Sequence, residues 1–166
     1  MKSINNTQLR RVIAAVMIPL PLCLLILGMA SAQEQNTERQ AKLKDFPSAV
    51  QATAKAESRG AVVRGYSMET DDGQTFYEVS LRVNGRSRDV TIDANGNVVE
   101  IEDQVSLASL PPAARSEIVK QAGKGRIILV ESITKNKAIV AYEAHIRTDG
   151  KISEIKVDPE GKPVAH

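Results

Sequence analysis

Histidine is among the scarcest reactive residues in this 166-residue chain, which has two, His145 and His166, and a single cysteine, Cys23. Nucleophilic hydrolysis needs a serine or cysteine with a base in hydrogen-bond reach. No Gly-x-Ser-x-Gly elbow, His-Glu-x-x-His helix or Walker loop is present. His145 stands beside Ile146 in an expected strand, opposite in direction to its apolar set, and reads as solvent-facing. His166 is the last residue. Gly123-Lys124-Gly125 is too short to cradle a phosphate and reads as a helix stop.

Carboxylates are the remaining candidates. Asp71, Asp72, Asp93, Glu100, Glu102, Asp103 and Asp158 are of the type that a glycosidic acid–base pair would use. Nearly all fall in turns or at strand ends, where carboxylates cap backbone groups. Asp93-Ala94-Asn95-Gly96-Asn97 alternates oxygen donors, as calcium loops do, but a calcium loop of the helix-loop-helix kind is longer and ends in a distal glutamate. Its counterpart, Asp158-Pro159-Glu160-Gly161-Lys162, places a cation where Asn97 sits. Both read as tight turns. The residue inventory therefore predicts no catalytic site, no metal site and no cofactor.

The N-terminus has a basic start (Lys2, Arg10, Arg11), an apolar run from Val12 to Ala30, and the small-x-small exit Ala30-Ser31-Ala32. Those are the parts of a secretory signal peptide over 1–32, with cleavage after Ala32. The alternative is an uncleaved membrane anchor, since the run approaches the roughly 20 residues that span a bilayer. Pro19 and Pro21 interrupt it. Cys23 lies inside the run, away from the cleavage point, so lipidation is not expected and the exported chain has no thiol. Removing Lys2, Arg10 and Arg11 takes the formal charge from +2 to −1. A near-neutral chain has no global field to attract nucleic acid. Aromatics make up 3% of residues, too few for the basic, aromatic-interleaved groove of single-strand binders. The clusters Arg82, Arg86, Arg88 and Lys120, Lys124, Arg126 are local and read as solvated surface, or as a patch for an anionic partner.

Residues 33–42 lack an apolar period and are expected to be a flexible lead-in. A helix is predicted from Phe46-Pro47 to about Ser58, with Asp45 as a cap and Phe46, Val50 and Ala54 as its stripe. The period then changes to two. Strands are predicted over 61–69, 75–83, 86–92 and 98–101, with turns at Asp71-Asp72-Gly73, Asn84-Gly85 and Asp93–Asn97. Tyr77, Val79, Leu81 and Val83 form the core-facing set of the second strand. The pattern returns with a helix over 110–122 and strands over 126–133, 138–146 and 152–157. In the 138–146 strand, Ile139, Ala141 and Glu143 share one face, and Val140, Tyr142, Ala144 and Ile146 the other.

These segments read as two copies of one unit, 43–103 and 108–163. Pro47 and Pro111 are 64 apart, Tyr77-Glu78 and Tyr142-Glu143 are 65 apart, and the Asp-x-x-Gly turns at Asp93 and Asp158 are again 65 apart. Each unit offers a helix to cover one apolar sheet face. Two units small enough to be unstable alone could join their sheets edge to edge or face to face, and a single α+β module with coupled sheets is the expectation.

On the helix, the Tyr-Glu strands and the closing turns Val90–Gly96 and Ile155–Gly161, the chain resembles the PepSY-like group, including its branch similar to beta-lactamase-inhibitor folds. The resemblance covers about 43–163. It implies an α+β fold of tandem helix-plus-antiparallel-sheet units, an exported bacterial protein in the periplasm or outside the cell, and no catalysis. It also implies a role in binding other proteins, including restraint of an envelope enzyme such as a protease. No inhibitory loop motif is recognisable. Tyr77, Tyr142, Arg86 and Arg88 are the candidate partner-binding residues, although core packing is the plainer reading of the tyrosines. The loops Asp71–Gly73, Asn84–Arg88 and Thr148–Lys151 are candidate contact points. The competing function is a periplasmic small-ligand or metal-binding protein, which would need clustered carboxylates at metal distances or a concave pocket. No nucleic-acid partner and no membrane span after cleavage are expected.

Overall fold

A computed structural model describes residues 37–71 and 73–164. The signal segment, Cys23, Asp72 and His166 lie outside the described residues.

Among the described residues, alternating apolar and polar residues separated by turn residues give eight strands in one sheet, in the order β1 to β8, every neighbour antiparallel. They are β1 (Thr37–Gln40), β2 (Val62–Asp71), β3 (Gln74–Val83), β4 (Arg86–Ile92), β5 (Val98–Gln104), β6 (Arg126–Lys135), β7 (Ala138–Thr148) and β8 (Lys151–Val157). Helix α1 (Ser48–Glu57) precedes β2, and α2 (Pro112–Ala122) lies between β5 and β6. The two halves join edge to edge: β5 pairs β6 from Ile101↔Thr134 to Gln104↔Glu131. Both helices pack on a curled antiparallel sheet.

The tight turns follow from residues that tolerate positive φ. Asn84 and Gly85 sit at φ 49° and 84°, and Asp149 and Gly150 at 51° and 80°, the pattern of a two-residue hairpin turn. Asn136 and Lys137 take the same course at 51° and 64°. The Asp-x-x-Gly turns close identically. The Asp93 carboxylate accepts from the Asn97 amide at 2.8 Å, and the Asp158 carboxylate from the Lys162 amide at 2.8 Å. Each aspartate is thereby used by its own turn.

Apolar side chains on one sheet face meet the helices in two clusters. The first gathers Phe46, Val50 and Ala54 against Tyr77, Val79, Leu81, Val90 and Ile92. The second gathers Leu110, Ala114 and Ile118 against Tyr142, Ala144, Ile146, Ile155 and Val157. β2 and β6, each following a helix, both carry a register shift, at Val63/Gly65 and Ile127/Leu129.

Three sequence expectations need correction. Part of the lead-in expected to be flexible is strand: Thr37–Gln40 pairs the edge of β2, from Thr37↔Thr70 to Gln40↔Ser67. An edge strand of this kind can be held by backbone hydrogen bonds alone, so it needs no apolar period. Asp45 does not cap α1; Pro47 occupies that position, and Asp45 accepts from the Lys42 amide at 2.9 Å to close a short 3-10 turn. On β7, Val140 is exposed, whereas Ala141 and Glu143, assigned to the face opposite the core, are buried. That burial comes from a second layer of packed side chains on the sheet face away from the helices.

Candidate functional site

The helices cover one face of the sheet; the other carries a polar layer. Strand alternation puts one residue in two on that face, and the meander order lines them up across strands. One row runs Ser80, Asp89, Glu102, Ile133, Ala141. A second runs Gln104, Glu131, Glu143, Lys156. Glu78, Thr91 and Glu100 form a third, and Leu129, His145 and Glu154 a fourth. Because neighbouring side chains shield one another, Glu131 and Glu143 are only 3% and 7% exposed with no helix above them.

Crowding carboxylates in a partly dry layer makes ionisation costly. Burial, then the Asp89 carboxylate, pushes the Glu78 carboxyl up to about 7, against a hydrogen bond from Ser80. Burial, then Glu100, Glu143 and Glu131, pushes Glu102 up to about 8. Asp89 is also raised, mainly by burial. Cations answer part of this charge. Lys156 Nζ lies 2.9 Å from Glu143 Oε2, and Lys135 Nζ 2.6 Å from Glu100 Oε2. Burial would lower the Lys156 ammonium, but Glu143, Glu102 and Glu100 together raise it.

At the β6–β8 end, His145 is set among three carboxylates. Its Nε2 is 3.3 Å from Glu131 Oε2 and 3.3 Å from Glu143 Oε1; its Nδ1 is 3.7 Å from Glu154 Oε1. Glu131, Glu143 and His145 each present a ligand atom within 4.8 Å of the others, the one group among the described residues that could hold a metal ion. His145 does oppose the apolar set, as its alternation predicts, but it is half-buried among acids and not simply solvent-facing.

The sequence-derived candidates lie elsewhere. Tyr77 and Tyr142 are 7% and 8% exposed, packed in the helix-covered clusters, with the Tyr77 ring centroid 5.0 Å from that of Phe46. Their Glu neighbours, Glu78 and Glu143, point to the polar layer. Arg88 is on the helix-covered face, opposite Leu81, and forks onto Asp103 with Nε–Oδ1 2.6 Å and Nη2–Oδ2 2.9 Å. Arg86 is exposed at the start of β4, beside a shallow depression that Ser87, Asp103 and Gln104 help to line. The four are therefore not brought together. Sequence reasoning missed Glu131, Glu154 and Lys156. The signal available was a polar residue every second position on successive strands: Glu78-x-Ser80, Asp89-x-Thr91, Glu100-x-Glu102, Glu143-x-His145 and Glu154-x-Lys156.

Residues 48–102 match the family model "Peptidase propeptide and YPEB domain", PepSY. Among solved structures, a protein from Bacteroides eggerthii named as periplasmic is 15% identical with a TM-score of 0.58, covering 72% of this chain and 86% of its own. A DUF2874 family protein from Bacteroides ovatus is 22% identical with a TM-score of 0.54, covering 72% and 85%. A BLIP-like protein from Bacteroides fragilis is 19% identical with a TM-score of 0.50, covering 72% and 84%. These likenesses establish the α+β fold. No curated protein matches the chain. No helix among the described residues is long and apolar enough to cross a membrane.

Proposed function

We propose that the chain is a noncatalytic, exported protein-binding module that docks a partner on the sheet face its helices leave uncovered. The observation that carries this reading is the polar layer itself. Six consecutive strands, β3 to β8, contribute charged side chains to one broad surface, held in register by the ladder. Groups fixed in this way lose little freedom on binding, which favours specific recognition. The PepSY match over 48–102 and the shared fold support grouping the chain with PepSY and BLIP-like proteins. The signal-like pattern at 1–32 and the name of the Bacteroides eggerthii protein both support a periplasmic address. Restraint of an envelope enzyme, such as a protease, is the activity this grouping suggests. The second unit, 108–163, is read as a copy of the first, because the two core clusters use residues 64 or 65 apart: Phe46 and Leu110, Tyr77 and Tyr142, Ile92 and Val157.

Arg86, exposed at the β3–β4 hairpin, pairs Val83 and shares the helix-covered side with Arg88, so none of the four sequence candidates lies on the proposed docking face. Site-specific photo-crosslinking in the envelope tests the surface. A crosslinker at Arg82 or Glu154, both exposed on the uncovered face, is expected to trap one discrete protein. The same group at Ser116 or Lys120 on α2 is expected to trap none. Trapping from α2 alone would overturn the assignment of the surface.

A further inference from the structure

We propose that Glu131, Glu143 and His145 form a binding site for a divalent transition-metal ion of the zinc kind. The site does not depend on the docking role above.

Two distances carry it. Zinc bonds nitrogen and oxygen at about 2.0–2.2 Å, so ligand atoms around a tetrahedral ion stand about 3.3–3.5 Å apart. His145 Nε2 lies 3.3 Å from Glu131 Oε2 and 3.3 Å from Glu143 Oε1. One ring N–H cannot point at two oxygens at once, and both distances exceed the usual N–H···O range. A shared cation satisfies both.

Each carboxylate is also held from behind. Ser87 Oγ stands 3.3 Å from Glu131 Oε1 as a weak contact, and Lys156 Nζ pairs with Glu143 Oε2 at 2.9 Å. The oxygens left over are the two that face Nε2. Glu154 Oε1 lies 3.7 Å from Nδ1, beyond hydrogen-bond range, on the side of the ring away from the two buried glutamates.

The backbone supplies the third argument. Glu131 and Glu143 are directly opposite one another on β6 and β7 and nearly fully buried, a like-charge pairing that is unfavourable by itself. A divalent ion removes that repulsion and leaves one coordination position open at the sheet surface. An imidazole donor selects zinc and its neighbours over calcium or magnesium, which take oxygen ligands.

The test is titration of the chelator-stripped full chain with zinc chloride in a calorimeter. One zinc per chain is expected, and none of the corresponding heat with calcium or magnesium. His145→Asn and Glu131→Gln are each expected to weaken zinc by at least about 100-fold. The His145 ring nitrogen resonance, followed by NMR in the unmodified protein, is expected to move on zinc addition, so the claim stays testable if a variant fails to fold. Zinc is also expected to raise the unfolding midpoint of the parent and not of His145→Asn. Absence of saturable zinc binding, an unmoved His145 resonance, or equal affinity in His145→Asn would overturn the site; His145 would then be a counter-ion for the acids around it.

Discussion

Gly161 lies against the backbone of Ala113: a Cβ built on Gly161 would fall 2.8 Å from the Ala113 carbonyl oxygen. Gly96 has the same relation to Ala49, at 3.0 Å. The glycine of each Asp-x-x-Gly turn thus lets the turn touch the first residues of a helix, in addition to supplying positive φ, 82° and 88°. The motif that recurs in the sequence marks where helix and sheet are clamped.

Gly161→Ala separates the two roles. Gly150, at φ +80, has nothing within 4 Å of a built Cβ. Gly150→Ala is expected to cost only backbone strain, about 1 kcal/mol. Gly161→Ala adds the collision and is expected to cost about 1–3 kcal/mol more. Denaturant titration of both variants measures the difference. Equal losses would mean that the turn yields freely and clamps nothing.

The acidic layer predicts a pH dependence with a definite sign. Folding raises the Glu78 carboxyl from 4.5 to about 7, chiefly by burial. Between those values the unfolded chain has released a proton that the folded chain keeps, so stability falls as pH rises through that window and levels off above it. Glu78 is half-buried, so screening limits the effect to about 1–2 kcal/mol. Glu78→Gln is expected to raise the unfolding midpoint at pH 8 by about 3–6 °C and leave it nearly unchanged at pH 4. Loss of stability at pH 8 on this substitution would contradict the picture of a crowded carboxylate.

The joint between the halves predicts cooperativity. Ile118 is fully buried on the sheet-facing side of α2, in the cluster that excludes α1. Ile118→Ala is expected to cost about 2–5 kcal/mol. Because β5 and β6 share a continuous ladder, the whole sheet is expected to unfold in a single transition, followed equally by probes in either half. Two separated transitions in Ile118→Ala would show that the β5–β6 pairing is too weak to couple them.

The core was legible because its signals are local. Asn84-Gly85 and Thr148-Asp149-Gly150-Lys151 specify their turns by backbone tolerance alone, and β4 begins at Arg86 and ends at Ile92 as its alternation predicts. The period-two set Tyr77, Val79, Leu81 is buried as read. The edge strand Thr37–Gln40 was illegible because what holds it is the free edge of β2, remote in sequence. The polar layer escaped for a related reason. Glu131, Glu143 and His145 each look like an ordinary outward residue on its own strand. Only the strand order places Glu131 opposite Glu143 and brings His145 to both. Alternation separates two faces; it does not reveal that the second one packs.

The measurement that bears most directly on the docking role is the affinity of the crosslinked partner for charge-reversed variants, by surface plasmon resonance. Arg82→Glu and Glu154→Arg lie on the uncovered face, and Lys120→Glu on α2 is the control. At least one of the first two is expected to weaken binding about tenfold or more, with Lys120→Glu within about twofold of the parent. Unchanged affinity in both open-face variants, with a loss in Lys120→Glu, would place the partner on the helices and contradict the role assigned to the acidic face.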